Sequence, residues 1–206
     1  FANGIRSIMR QDPDIILVGE IRDADTATMA FRAAMTGHQV FSTLHTNSAL
    51  GTFPRLSDIG ISPDIMAGNI IGVVAQRLVR VLCPHCKEAH SPSADERKLL
   101  GLKPRADAKI YRQIGCKRCN YSGYRGRMAI IELLRIDADI DALIARRSHM
   151  DELRAMAHEK GFVTLADDGA RRILEGYTSL AEVTRVIDLT SRINQSSRLN
   201  QLSRSK

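Results

Sequence analysis

The sequence predicts an α/β protein: a mainly parallel sheet with helical cover, then a cysteine-punctuated insert, then a small, mostly helical C-terminal part. Three observations carry this. Over the first 82 residues, apolar strand-like runs alternate with helix signals in the order strand, helix, strand, helices, strand, as in parallel strands joined by helical crossovers. All four cysteines lie between Cys83 and Cys119, in a stretch broken by Pro and Gly. After Arg127, helix starts and stops follow one another to about residue 190.

Residues 3–10 read as the end of a helix, and Asp12-Pro13-Asp14 turns the chain into a strand over 14–19. That strand is a continuous apolar run, Ile15 to Gly19, which is how a strand buried on both faces reads. Asp25 is the expected cap of a helix running to Met35, stopped by Gly37. His38 to Thr46 follows as a second strand with a polar exit. A helix over 48–59, bent or begun at Pro54, precedes a further helix opened by Ser62-Pro63-Asp64, an N-cap, a first-turn proline and a favourable acid. Val73 to Leu82 is the third strand. Within the insert, Ser93 and Glu96 have capping-box spacing for a helix over 93–100. Met128 to Leu134 is a last strand-like run; Ser148 and Ser179-x-x-Glu182 then open helices, with Gly161 and Gly176 as stops.

At 206 residues, 44% hydrophobic and 26% charged, the chain has the composition of a globular protein. No apolar run approaches the ~20 residues that span a bilayer, and the N-terminus lacks the order of a signal peptide. The cytosol is the expected compartment. Phe1 in place of Met suggests that the sequence begins inside a longer protein. The net charge is +7, but residues 191–206 alone supply +4, with Ser, Asn and Gln between the basic residues. A basic, disordered tail is expected there.

Cys83-Pro-His-Cys86 and Cys116-Lys-Arg-Cys119 are two CxxC pairs separated by 29 residues. Each such turn presents two thiolates to one metal, and two turns complete a tetrahedral four-sulfur shell, a structural zinc site with no open position. Lys117, Arg118 and Lys87 would offset its negative charge. His85 and His90 are expected bystanders, and disulfides are disfavoured in the cytosol.

Glu20 ends the first apolar strand, where open α/β sheets bind ligands. From there it could polarise an attacking water or bind magnesium. His45, at the exit of the neighbouring strand, could hydrogen-bond a γ-phosphate, as could His38 at its start. Each residue alone also fits a structural role; the combination on adjacent strands points to a nucleotide.

Taken in order, DPDIILVGEIRD (Asp12 to Asp23), TGHQVFSTLHTNSA (Thr36 to Ala49), AQRLVRVLCPHC, GCKRC and GYRGR resemble the secretion ATPases, the hexameric motors of type II secretion and type IV pilus assembly. The resemblance covers nearly the whole chain. It implies a partial RecA-like P-loop ATPase core at 1–82, a zinc-binding insert at 83–126 and a helical subdomain at 127–190. By this resemblance Glu20 is the catalytic glutamate of an atypical Walker B motif, and His38 and His45 belong to the family's His box. Arg22 and Arg77 fall in family motifs and would face the nucleotide or a neighbouring subunit. Cys83, Cys86, Cys116 and Cys119 correspond to the zinc module of the assembly branch. ATP, Mg2+ and Zn2+ are the implied cofactors. A homo-hexamer, an inner-membrane platform and other cytoplasmic-membrane components are the implied partners, at the inner face of the bacterial cytoplasmic membrane.

The chain departs from the family in two respects: it contains no GxxxxGK[ST], so the phosphate-cradling loop is missing, and its basic tail has no counterpart in the family. Little ATPase activity is expected of the isolated chain. Two other readings compete. A basic zinc module contacting nucleic acid would use Lys117, Arg118, Arg125 and Arg127, but 4% aromatic residues and no Trp leave few stacking platforms. A purely structural ATPase-like fragment is the other.

Overall fold

The structure, a computed structural model, describes residues 1–103, 106–190 and 192. The chain forms two compact units, each discontinuous in sequence: Phe1–Ala75 with Leu133–Phe162, and Gln76–Glu132 with Val163–Lys206 as far as the latter is described.

In the first unit, α1 (Ala2–Ile8) runs through a 3-10 turn at Met9–Gln11 into β1 (Ile15–Val18), α2 (Ala24–Met35) and β2 (Gln39–Ser42). β1 and β2 are parallel, with Ile15 opposite Gln39 and Val18 opposite Ser42. The helix α2 is capped by Asp23, whose extended backbone lets its carboxylate accept the Thr26 N–H at 2.8 Å. Asp25, the expected cap, lies in the first turn instead. Gly37 adopts φ 98°, the left-handed conformation that ends the segment. Ile5, Ile16, Val18, Met29 and Ala33 form a common core. Only one face of β1 is covered: Ile16 and Val18 point into this core, whereas Ile15 and Leu17, with Phe41 of β2, are exposed. The apolar run therefore has the composition of a doubly covered strand, but α1 and α2 pack on one side.

The unit continues with α3 (Thr52–Asp58), which has Pro54 in its first turn, and α4 (Pro63–Met66), begun at Ser62. Its later part is α6 (Ala138–Ala145) and α7 (Met150–Glu159), numbered in chain order across the insert. Asp137 caps α6 by accepting the Ile140 N–H at 3.2 Å, and Lys160, just beyond α7, reaches back to Asp137 and Asp139 at 2.6 Å each. Nothing in the sequence reading singled out the Asp137 cap. The α7 N-cap is His149, one residue past the expected Ser148.

The third strand corrects the expected sheet. β3 (Gly72–Leu82) does not join β1 and β2; it pairs with β6 (Tyr124–Arg135). Its residues alternate, with Ala75 and Val79 buried and Val74 and Leu78 exposed, as in a strand covered on one side. Between them, β4 (Glu88–His90) and β5 (Ile110–Arg112) form an antiparallel pair, and α5 (Ala94–Leu100) carries the expected capping box, with Ser93 and Glu96 bonding each other's backbone N–H at 3.3 and 2.8 Å.

The second unit closes on α8 (Leu165–Leu174), capped by Thr164 with Asp167, and α9 (Leu180–Thr184), capped by Ser179. Buried acids hold these helices to the strands. Glu132 accepts the Leu165 N–H at 2.9 Å, and Asp168 accepts the Ile131 N–H at 3.0 Å, so β6 and α8 exchange bonds in both directions. The tail expected at 191–206 lies outside the described residues apart from Arg192, which donates to Asp167 at 2.8 Å.

Candidate nucleotide and metal sites

The carboxyl ends of β1 and β2 are zipped past the strand limits. The Ile21 N–H donates to Thr43 O at 2.9 Å, and the Thr43 hydroxyl donates to Gly19 O at 2.7 Å. This ladder sets Glu20 beside the exit of β2. The Glu20 Oε2 atom lies 2.6 Å from Arg22 Nε and 3.2 Å from His45 Nε2. Oε1 makes neither of these contacts. Glu20 is 22% exposed, whereas Arg22 and His45 are open to solvent. The Arg22 hydrogen bond holds the Glu20 carboxyl below its ordinary pKa, burial opposes it, and His45 adds to the lowering. The group is therefore an anion at neutral pH, able to orient a water molecule or face a cation through its second oxygen. Thr43 was not among the sequence candidates; a hydroxyl inside a strand-exit motif carries no signal of its own.

His38 stands apart. It precedes β2, at the other end of the strand pair from Glu20, and its Nδ1 lies 3.0 Å from Ala33 O and 3.0 Å from the Thr36 hydroxyl. There it closes the carbonyl end of α2, a position that suits an imidazole. Arg77, on β3 in the second unit, donates from Nη1 to Gln76 O at 2.9 Å. Glu20, His45 and Arg22 are thus brought together; His38, at the far end of the strand pair, is not part of that cluster.

In the second unit the two CxxC turns meet. Cys83 and Cys119 are buried, and the four sulfurs lie within 4.8 Å of one another. Individual separations are 4.0 Å for Cys83–Cys116 and 3.8 Å for both Cys86–Cys119 and Cys116–Cys119. A tetrahedral zinc shell with Zn–S near 2.3 Å has sulfur–sulfur edges of about 3.8 Å, so the donor set fits a divalent ion of that size. Backbone N–H groups aim at the sulfurs: Gly115 at Cys86 (3.3 Å), and Cys116 and Gly123 at Cys119 (3.2 and 3.3 Å). Burial opposes ionisation of Cys119, but these N–H groups and the adjoining thiols outweigh it and bring the thiol down to about 6. Burial pushes Cys86 up to about 11. Gly115 and Gly123 allow the turns to close: a Cβ on Gly115 would sit 2.6 Å from Tyr121 O, and one on Gly123 2.5 Å from the Gln113 side chain. His85 lies against Arg118 and His90 against Glu96, outside the sulfur cluster.

The model of the type II/IV secretion system protein family matches residues 1–185. The chain belongs to that family. It is 49% identical over 186 residues to type II secretion system protein E of Pseudomonas aeruginosa, covering 90% of this chain and 37% of that protein. It is 47% identical to the type IV pilus assembly ATPase TfpB of Acinetobacter baylyi, covering 92% and 33%, and 45% identical to the type IV pilus assembly ATPase PilB of Thermus thermophilus, covering 89% and 21%. The chain thus spans about a third of the length of the first two relatives, and less of the third. Among solved structures, the pilus retraction motor PilT with bound ADP superposes with TM-score 0.63 at 25% identity, over 90% of this chain and 43% of that one. The Legionella pneumophila ATPase DotB superposes with TM-score 0.60 at 24% identity, over 90% and 41%, a likeness of fold. Among the described residues, no helix is long and apolar enough to cross a membrane.

Proposed function

We propose that the chain is the downstream part of an ATP-hydrolysing motor of type II secretion or type IV pilus assembly. The observation that carries this is the meeting of Glu20 with His45 and Arg22 at the carboxyl ends of two parallel strands, in a chain whose relatives are named as ATPases of those systems. Residues 1–82 form the downstream half of a RecA-like core, 83–126 a zinc-binding insert and 127–190 a helical subdomain. The uncovered apolar face of β1 and β2 supports a core completed by further chain, as does the absence of a GxxxxGK[ST] loop.

Glu20 accepts a proton from, or orients, the attacking water through Oε1. His45 hydrogen-bonds the γ-phosphate, and Arg22 both fixes Glu20 and supplies positive charge. Magnesium, held with the phosphates, would neutralise their charge. His38 acts from outside the Glu20 cluster by positioning the start of β2, and Arg77 faces nucleotide or a neighbouring subunit. Zinc on Cys83, Cys86, Cys116 and Cys119 is structural. The intact protein works as a homo-hexamer at the inner face of the bacterial cytoplasmic membrane, against an inner-membrane platform.

The test is Glu20→Gln in the intact protein. Turnover falls by about 10²–10⁴-fold while nucleotide binding persists; unchanged turnover would overturn the assignment. The 206-residue chain alone should hydrolyse ATP weakly, lacking the phosphate loop, and robust magnesium-dependent hydrolysis by it would refute that.

A further inference from the structure

Glu20 owes its place to a break in the strand pairing. Val18 stands opposite Ser42, so Gly19 falls opposite Thr43. In a continued parallel ladder the Thr43 carbonyl would accept the N–H of Glu20, the residue after its partner. The start of the pair is regular in this way: Gln39, opposite Ile15, donates to Asp14 O, the residue before its partner, at 3.0 Å. At Thr43 the register slips by one. The carbonyl takes the Ile21 N–H at 2.9 Å, and the hydroxyl reaches Gly19 O at 2.7 Å. A single residue at the exit of β2 thus holds the residues on both sides of Glu20, and Glu20 is the extra residue of a bulge between them. Bulges beside a site re-aim a side chain. Ile21, 7% exposed, anchors one foot of this arch by burial. The other foot, Gly19, has no side chain to bury and is fixed by the Thr43 hydroxyl. Thr43 itself is exposed, so its side chain adds little to the core.

From this we infer that Thr43 is a positioning residue for Glu20, acting through the backbone on either side of it. With both bonds made, the peptides before and after Glu20 are fixed, and the carboxylate is delivered to Arg22 and His45 at 2.6 and 3.2 Å. His45 lies only two residues beyond Thr43, so the same residue sets both partners of that contact. Without the hydroxyl the Gly19–Glu20 peptide is free to turn, and the carboxylate leaves its line. The Gly19 carbonyl can only accept, so a donor is required at position 43 and a methyl group cannot replace it. The β-branch of threonine restricts χ1 and holds that donor in place. The inference rests on the assignment of Glu20 to the attacking water.

Two substitutions in the intact protein separate shape from hydrogen bonding: Thr43→Val keeps the shape and loses the donor, and Thr43→Ser keeps the donor. Thr43→Val should lower kcat by about 10- to 100-fold, with KM for ATP and the melting temperature nearly unchanged. Thr43→Ser should recover most of that loss. In a Glu20→Gln background Thr43→Val should cost nothing further, because a positioning residue has no effect once the group it positions is gone. If Glu20→Gln is slow and Thr43→Val is not, or if the two losses multiply, the inference fails while the Glu20 assignment stands. It fails too if Thr43→Ser is as slow as Thr43→Val, since the hydroxyl then does not matter. A loss of kcat accompanied by lost nucleotide binding would mark a merely structural role and overturn it. Turnover by Glu20→Gln at the parent rate would remove the underlying assignment, and this inference with it.

Discussion

The wholly buried Glu182 carboxylate takes three hydrogen bonds from Arg80, one from the backbone N–H at 3.1 Å and two from the guanidinium at 3.0 and 2.6 Å. Arg185 adds two more, at 2.8 and 3.3 Å, and the Arg80 guanidinium lies 4.2 Å over the Tyr124 ring. One carboxylate thereby fixes β3 to α9. Glu182→Ala is expected to cost about 3 kcal/mol, since it strips a hydrogen-bonded ion pair from the interior. Urea unfolding of the two proteins measures the difference. Burial alone would raise the Glu182 pKa, but the bonds from Arg185 and Arg80 bring it down to about 2. Because the folded value lies below the ordinary one, the contribution is complete above about pH 4.3 and is lost as pH falls toward 2. The stability gap between the parent and Glu182→Gln should therefore be constant near neutrality and close in acid.

Metal analysis should give about one zinc per chain. Removal by a chelator should expose four reactive thiols and lower the melting temperature, because the sulfur cluster joins two turns 29 residues apart. Cys119→Ser should lose the metal as completely as Cys83→Ser, both residues being buried ligands. Less than about half an equivalent of zinc would refute the metal assignment.

Gly176 offers a test of how the insert is clamped. Its φ is 75°, and a Cβ there would lie 2.7 Å from the Tyr111 ring, while Lys87, beside Cys86, donates to Gly176 O at 2.8 Å. Gly161 has φ 84° but open space around it. Gly161→Ala should cost only the backbone penalty, about 1–2 kcal/mol, and Gly176→Ala clearly more. Equal losses in thermal unfolding would show that the Tyr111 contact is unimportant.

Leu17 is 77% exposed on the open face of β1. In the isolated chain, Leu17→Lys should leave stability within about 0.5 kcal/mol and raise solubility. In the intact protein the same substitution should destabilise by several kcal/mol, because a covered face would then bury an unpaired charge. Equal tolerance in both would contradict a core completed by further chain.

Local signals were the legible ones. The Ser93–Glu96 box, the Ser179 cap and the glycine stops at 37, 161 and 176 act within a few residues, so their spacing alone specifies them. The convergence of the two CxxC pairs was legible because each turn is itself a local ligand pair. The cap of α2 was misplaced by two residues, since both Asp23 and Asp25 suit the position and only the strand exit decides between them. The partner of β3 was not legible. Which strand a strand chooses depends on contacts with β6, far along the chain, and an apolar run carries no address. Glu20 and His45 were each ambiguous in sequence; the Thr43 ladder that unites them appears only once the strands are paired.

The Arg80–Glu182 contact joins residues 102 positions apart, and the Leu82 N–H waits for Tyr177 O in the same way. During synthesis at ~5–20 residues per second, β3 leaves the ribosome several seconds before its acid partner exists. Until then Arg80 has no carboxylate to meet, and any message that ends before Glu182 yields a strand with an unanswered arginine. The far end of β3 is thus secured only by a helix, α9, that is made long after it.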